Sequence, residues 1–147
     1  MLDKLRTLLA LHEGREKYPY KDTRGILTIG IGHNLQEGLS DEAIDFIFEE
    51  DLSNKLQDAE TLPWFDELDE VRKAAILDML FNMGLPTFRR FRRTIDFMAA
   101  GMYTEASEEI LRGSRPDGKS HYYAQVGKRA ERISAMLRTG EWQHGMV

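Results

Sequence analysis

The sequence predicts an α+β protein in which one short β region is set among helices. Three observations carry that expectation. Residues 18–38 scatter Gly25, Gly30, Gly32 and Gly38 among Tyr18, Tyr20, Ile26, Leu27, Thr28, Ile29 and Ile31, a strand-and-turn composition found nowhere else in the chain. Apolar residues recur at three- and four-residue steps before that stretch and throughout everything after it. Residues 41–60 contain neither proline nor glycine, and a helix of that length spans about 30 Å.

The elements follow in order. Leu2, Leu5, Leu8, Leu9 and His12 mark one face of an opening helix, which Gly14 stops just after Glu13. Thr23-Arg24-Gly25 is the expected hairpin tip. Ser40-Asp41-Glu42 supplies a capping hydroxyl and first-turn acids for the long helix, whose apolar face is Ile44, Ile47, Phe48, Leu52 and Leu56. Eight of the nine charged residues between 41 and 60 are acidic, so the opposite face is solvated. Residues 69–83 turn increasingly apolar, as a helix entering a core does, and Gly84 and Pro86 end it. Further helices are expected at about 88–100, 104–112 and 121–138. Met79, Met83, Met98 and Met102 read as core filling.

At 147 residues, 41% apolar and 31% charged, the chain has the composition of one globular domain rather than of a disordered segment. The opening Met-Leu-Asp-Lys-Leu-Arg does not read as a secretory signal, and no apolar run approaches the ~20 residues of a membrane span. With no cysteine there is no disulfide, thiolate metal site or cysteine nucleophile. His12, His33, His121 and His144 lack zinc-ligand spacing, so no metal is expected. Residues 1–83 carry 9 basic and 18 acidic residues, against 11 and 7 beyond them. The acidic half argues against a nucleic-acid binder. Gly113–Ser120 satisfies the phosphate-loop pattern letter by letter, but an acidic helical segment precedes it where that loop needs a buried strand, so a helix-to-helix turn is expected. Phe88-Arg89-Arg90-Phe91-Arg92-Arg93 places its aromatics on one helical face and its arginines outward, a solvated surface with a mild attraction for anionic polymer or lipid.

What remains is carboxylate chemistry. Glu13 ends a helix, where carbonyl dipoles disfavour negative charge and the helix's leucines would add desolvation; a carboxyl that keeps its proton is what a general acid requires. Asp22 lies nine residues on, in a polar turn that keeps it ionised, and Thr28 offers a hydroxyl able to hold water. Taken alone, an acid at a helix end and an acid in a turn are more often simply solvated.

The order Glu13-Gly14, Asp22, Thr28 and Gly30-Ile31-Gly32-His33 resembles the bacteriophage-type lysozymes of glycoside hydrolase family 24. Leu68–Ala75 leading to Phe81-Asn82-Met83-Gly84, Lys128–Ile133, and Arg138-Thr139-Gly140-Glu141-Trp142 extend the resemblance over nearly the whole chain. It implies a lysozyme-like fold: an N-terminal lobe of about 12–60 with the hairpin, and a helical C-terminal lobe of about 61–147 on which the first helix packs. It also implies hydrolysis of the β-1,4 bond between N-acetylmuramic acid and N-acetylglucosamine in peptidoglycan, without a cofactor. In that scheme Glu13 is the proton donor, and Asp22 with Thr28 activates water. Asn82 would contact sugar, Arg129 would bind in the groove and pair with the glutamate, and His33 and Asp51 would form a structural ion pair.

The resemblance further implies a monomeric endolysin, made in the host cytoplasm and released to the wall by a separate pore-forming protein. Its partner would be glycan strands, with neither nucleic acid nor stable membrane insertion. Two departures stand out. Only residues 34–39 separate hairpin from long helix, and Tyr122 replaces a tryptophan of longer members. A lytic transglycosylase and a non-enzymatic wall-binding module are the rival readings; Asp22 and Thr28 speak against the first, and the second would not need Glu13, Asp22 and Thr28 together.

Overall fold

A computed structural model describes residues 1–143, so His144 lies outside the described residues. The chain divides into two compact units, Met1–Phe48 and a second beginning at Glu49. In the first, helix α1 (Leu2–Glu13) is closed by Gly14, whose N–H reaches Ala10 O at 3.0 Å and whose φ of +78° suits glycine alone. Strands β1 (Glu16–Lys21), β2 (Leu27–Gly30) and β3 (His33–Asn34) form an antiparallel sheet in sequential order, with Tyr20 and Asn34 flanking Thr28 on either side. Pro19 is tolerated because β1 is an edge strand. The expected hairpin tip is where the sequence predicts it. Helix α2 (Asp41–Glu60) starts with the Ser40 hydroxyl accepting from Ala43 N–H at 3.2 Å and runs from the first unit into the second.

The second unit contains α3 (Glu70–Met83), α4 (Leu85–Phe88), α5 (Arg92–Ala99), α6 (Tyr103–Glu109), α7 (His121–Val126) and α8 (Lys128–Thr139). Helix α8 packs against α3, α6 and α7 around Ile76, Met79, Leu80, Ile133, Met136 and Leu137, all essentially inaccessible to solvent. Two expected helices are broken. The 88–100 segment splits into α4 and α5 at a turn through Arg89–Phe91, and Gly127, at φ +55°, separates α7 from α8. Met79 and Met98 fill the core as expected, but Met102, at the start of α6, is 42% exposed. Gly113–Ser120 is a turn between helices closed by a bridge between Arg112 and Lys119, so the phosphate-loop reading is excluded on the ground the sequence suggests.

Arg72 ties the unit together. Its Nη1 reaches Asp69 Oδ2 at 2.7 Å, its Nε donates to Leu137 O at 2.7 Å, its Nη2 donates to Arg138 O at 3.0 Å, and its plane lies over the Tyr103 ring. Asp69 Oδ1 meanwhile caps α3 through Arg72 N–H at 3.0 Å. One planar fork thus joins the start of α3 to the carbonyls left open at the end of α8. Lysine cannot reproduce that fork. Arg72→Lys should cost about 2–3 kcal/mol, read as a lower urea midpoint at unchanged slope; a midpoint equal to wild type would contradict this role.

Candidate active site

The first unit contains Glu13, Asp22 and Thr28, and backbone groups fix the last two. Asp22 begins the hairpin turn: its N–H donates to Ile26 O at 2.9 Å, and its carbonyl accepts from Gly25 N–H at 2.9 Å. Its side-chain Oδ1 accepts from Arg24 N–H at 2.8 Å and Ile26 N–H at 2.9 Å. The Ile26 bond is the strongest influence, and with the Arg24 N–H bond and the Arg24 charge it holds the Asp22 carboxyl below the usual carboxylate range against desolvation, the second-largest influence. Oδ2 accepts no hydrogen bond among the described residues. Two residues further on, the Thr28 hydroxyl donates to Ile26 O at 2.8 Å. The two faces of a single residue's backbone therefore fix both side chains.

Thr28 is the one buried residue among the first 48. Its proton is committed to the Ile26 carbonyl, so toward any further partner the hydroxyl can only accept. The ionised Asp22 likewise only accepts.

Glu13, the last residue of α1, meets the loop after β2. A Cβ built on Gly32 would stand 2.8 Å from Glu13 Oε2 and 3.0 Å from its carboxyl carbon. Only a glycine, here at φ +69°, lets the Ile31–His33 backbone pass so close to that carboxyl. The leucines of α1 do not cover it as the sequence suggested: Glu13 is exposed and no residue of α1 is buried. His33 sits at the start of β3 with Nε2 2.9 Å from Gly38 O, closing the 34–39 loop on itself.

The remaining sequence-predicted residues lie in the second unit. Asp51 is exposed on α2. Arg129, at the start of α8, donates Nε to Asp78 Oδ1 at 2.9 Å, and that bond holds its proton more firmly than in free arginine. Asn82, at the end of α3, lines a cavity of about 420 Å³ together with Arg90, Ser114, His121, Tyr122 and Gln125. Tyr122 is 4% exposed and its hydroxyl has no partner among the described residues. Burial first, and then the nearby Asp78 charge partly offset by Arg129, push that phenol up to about 12.

Sequence reasoning missed Ile26, Gly32 as the neighbour of Glu13, and Asp78. Asp78 left a signal, being the one charge in the apolar run Ala74–Leu80. Ile26 left none, because it acts through its backbone.

This arrangement, an acid at a helix end beside a hairpin bearing an ionised carboxylate and a hydroxyl free only to accept, fits glycosidic bond hydrolysis. The chain belongs to the phage lysozyme family, whose sequence pattern matches residues 10–132. It is a lysozyme, a glycoside hydrolase acting on peptidoglycan. Two Dictyostelium discoideum proteins, "Probable T4-type lysozyme 2" and "Probable T4-type lysozyme 1", are each 27% identical over 171 aligned positions. Those positions cover 95% of this chain and 96% of each relative.

Two predictions follow from the geometry. Gly30 and Gly32 share φ +69°, but a Cβ on Gly30 meets nothing within 4 Å. Both alanine variants should lose stability of about 1–3 kcal/mol from backbone strain, while Gly32→Ala alone displaces Glu13. Clearing of permeabilised Gram-negative cells should therefore fall at least about tenfold further for Gly32→Ala; equal losses would disprove the contact. The second prediction concerns acid. Because the folded Asp22 pKa is depressed, its stabilising contribution is complete above the unfolded value of about 4 and vanishes as pH falls through the folded one. Melting curves of Asp22→Asn should show a shallower decline than wild type in that acid window, and superimposable slopes would contradict it.

Proposed function

We propose that this lysozyme cleaves the β-1,4 bond between N-acetylmuramic acid and N-acetylglucosamine by a single displacement. Glu13 gives its proton to the leaving glycosidic oxygen. A water held between Asp22 Oδ2 and the Thr28 hydroxyl attacks the anomeric carbon as the C–O bond breaks, and its proton passes to Asp22. The observation that carries this reading is the Thr28 proton committed to Ile26 O at 2.8 Å, which makes the hydroxyl an acceptor suited to orienting water. A depressed Asp22 is a weak base, so its main contribution is orientation and stabilisation of the developing positive charge.

Asn82 is assigned to glycan contact through the cavity it lines, and Arg129 through the guanidinium edge not bonded to Asp78. His33 and Asp51 are assigned structural roles. Family membership supports a biological setting of host-cell lysis, with a monomeric enzyme made in the cytoplasm and released to the wall. The whole chain is then one functional domain, with neither nucleic acid nor inserted membrane as partner.

Mass spectrometry of products from purified peptidoglycan tests the reaction. Hydrolysis gives reducing N-acetylmuramic acid ends that have gained one water. Ends carrying a 1,6-anhydro ring would assign the protein to the transglycosylases. Glu13→Gln keeps shape and removes the proton, so activity should fall at least ~100-fold; retention of more than about a tenth of wild-type activity, set against that ~100-fold loss, would remove Glu13 from the donor role.

A further inference from the structure

The cavity of about 420 Å³ beside Asn82 is built wholly from the second unit. Met83, Phe91 and Tyr122 give it apolar walls, and no acidic residue lines it. The Tyr122 hydroxyl is inaccessible, so that residue offers only its ring. Asn82, Arg90, Ser114, His121 and Gln125 supply the polar side. All five are exposed, and their side chains make no hydrogen bond or ion pair among the described residues. The turn at 113–120 that carries Ser114 is held in place: Gly113 N–H donates to Gly118 O at 3.1 Å, and Ser120 N–H to Leu111 O at 2.8 Å. Glycine is required at 113, because a Cβ there would stand 2.6 Å from Lys119 O. The Ser120 hydroxyl is spent on Ile110 O at 2.6 Å, which leaves Ser114 as the free hydroxyl of the turn.

A concave site with apolar walls and a few convergent, uncommitted polar groups is the form ligand sites take, commonly at roughly 300–1,000 Å³. Asn82 is already assigned to glycan, which leaves Arg90, Ser114, His121 and Gln125 without a role. None of the four lies in the motifs that carry the family resemblance. Arg90 is a permanent cation that can only donate, and its planar fork matches a carboxylate. The sugars of peptidoglycan are uncharged where their lactyl groups are amide-linked. Its anions are the carboxylates of the peptide stems, whose alanine methyl groups also suit walls of Met83 and Phe91.

We propose that this cavity reads the charge of the peptide stem, with Arg90 as the residue that selects a free stem carboxylate over an amidated one. The Arg90 guanidinium donates to the carboxylate oxygens, the Ser114 hydroxyl and a His121 ring N–H add donors, and the Gln125 amide meets the stem's peptide groups. The inference rests on the reading of the chain as a peptidoglycan hydrolase and adds a preference for walls whose stems keep their negative charge.

The full chain, labelled with nitrogen-15, is titrated with the N-acetylated stem tetrapeptide L-Ala–D-Glu–diaminopimelate–D-Ala. Parallel titrations use the same peptide with all carboxyls amidated and an uncharged chitin oligosaccharide. Saturable shifts of the Arg90, Ser114, His121 and Gln125 amides are expected with the free peptide, at about tenfold higher affinity than with the amidated one. Arg90→Gln should melt as wild type does, since its side chain is exposed and unpaired, and should bind the two peptides alike. Absence of shifts with the free peptide, equal affinity of wild type for both peptides, or shifts with the chitin oligosaccharide alone overturns the proposal. Mass spectrometry of the wall products separates the two readings. Hydrolysis without peptide binding removes the charge-reading cavity alone, whereas selective peptide binding without hydrolysis supports the cavity and removes the hydrolase.

Discussion

The peptide backbone of Ile26 is the fixed point of the hairpin between β1 and β2. Its N–H binds Asp22, and its carbonyl binds the Thr28 hydroxyl and the Asp22 N–H. A side-chain neighbour would swing with its own rotamer, whereas a peptide group in a tight turn is held by the chain on both sides. This accounts for how a small unit with no apolar core of its own positions two polar side chains. It also sets their chemistry: the turn's amides keep Asp22 ionised, and the carbonyl removes the donor capacity of Thr28. Toward any further partner both groups are then acceptors.

Rigidity is distributed unevenly between the units. Among the first 48 residues Thr28 alone is buried, and order there comes from backbone hydrogen bonds and from glycines at positive φ. The second unit follows the opposite rule. Its helices close around an apolar core, and Arg72 satisfies the helix-end carbonyls of α8 that packing leaves open. Glycine serves both regimes. Gly32 permits the close passage of backbone beside Glu13, and Gly140, at φ +68°, leaves room for Arg72 Nη1, which a Cβ would approach to 2.6 Å.

Much of this was legible in the sequence, for identifiable reasons. The limits of α2 were readable because Ser40 and the first-turn acids mark its start and nothing breaks it before Pro63. The hairpin tip was readable because Gly25 is needed there at φ +77°. The breaks at Arg89–Phe91 and Gly127 were not, since the apolar spacing of Phe88, Phe91 and Ile95 continues across the first and a lone glycine within a periodic segment is ambiguous. Glu13, Asp22 and Thr28 became candidates through spacing and resemblance. What joins them was hidden, because Ile26 contributes peptide atoms that any residue type would supply. The exposure of Glu13 was likewise unreadable, since the leucine periodicity of α1 gives a face but not what covers it.

The proposed mechanism requires that Asp22 and Thr28 hold a water rather than that Asp22 attack the sugar itself. An enzyme that places water between base and sugar inverts the anomeric centre, and one that attacks directly through a carboxylate retains it. Proton NMR of soluble β-linked peptidoglycan oligosaccharide, recorded before mutarotation, reads the outcome at the new reducing end. The α anomer is expected first; an initial β anomer would mean a covalent intermediate and would contradict the single displacement.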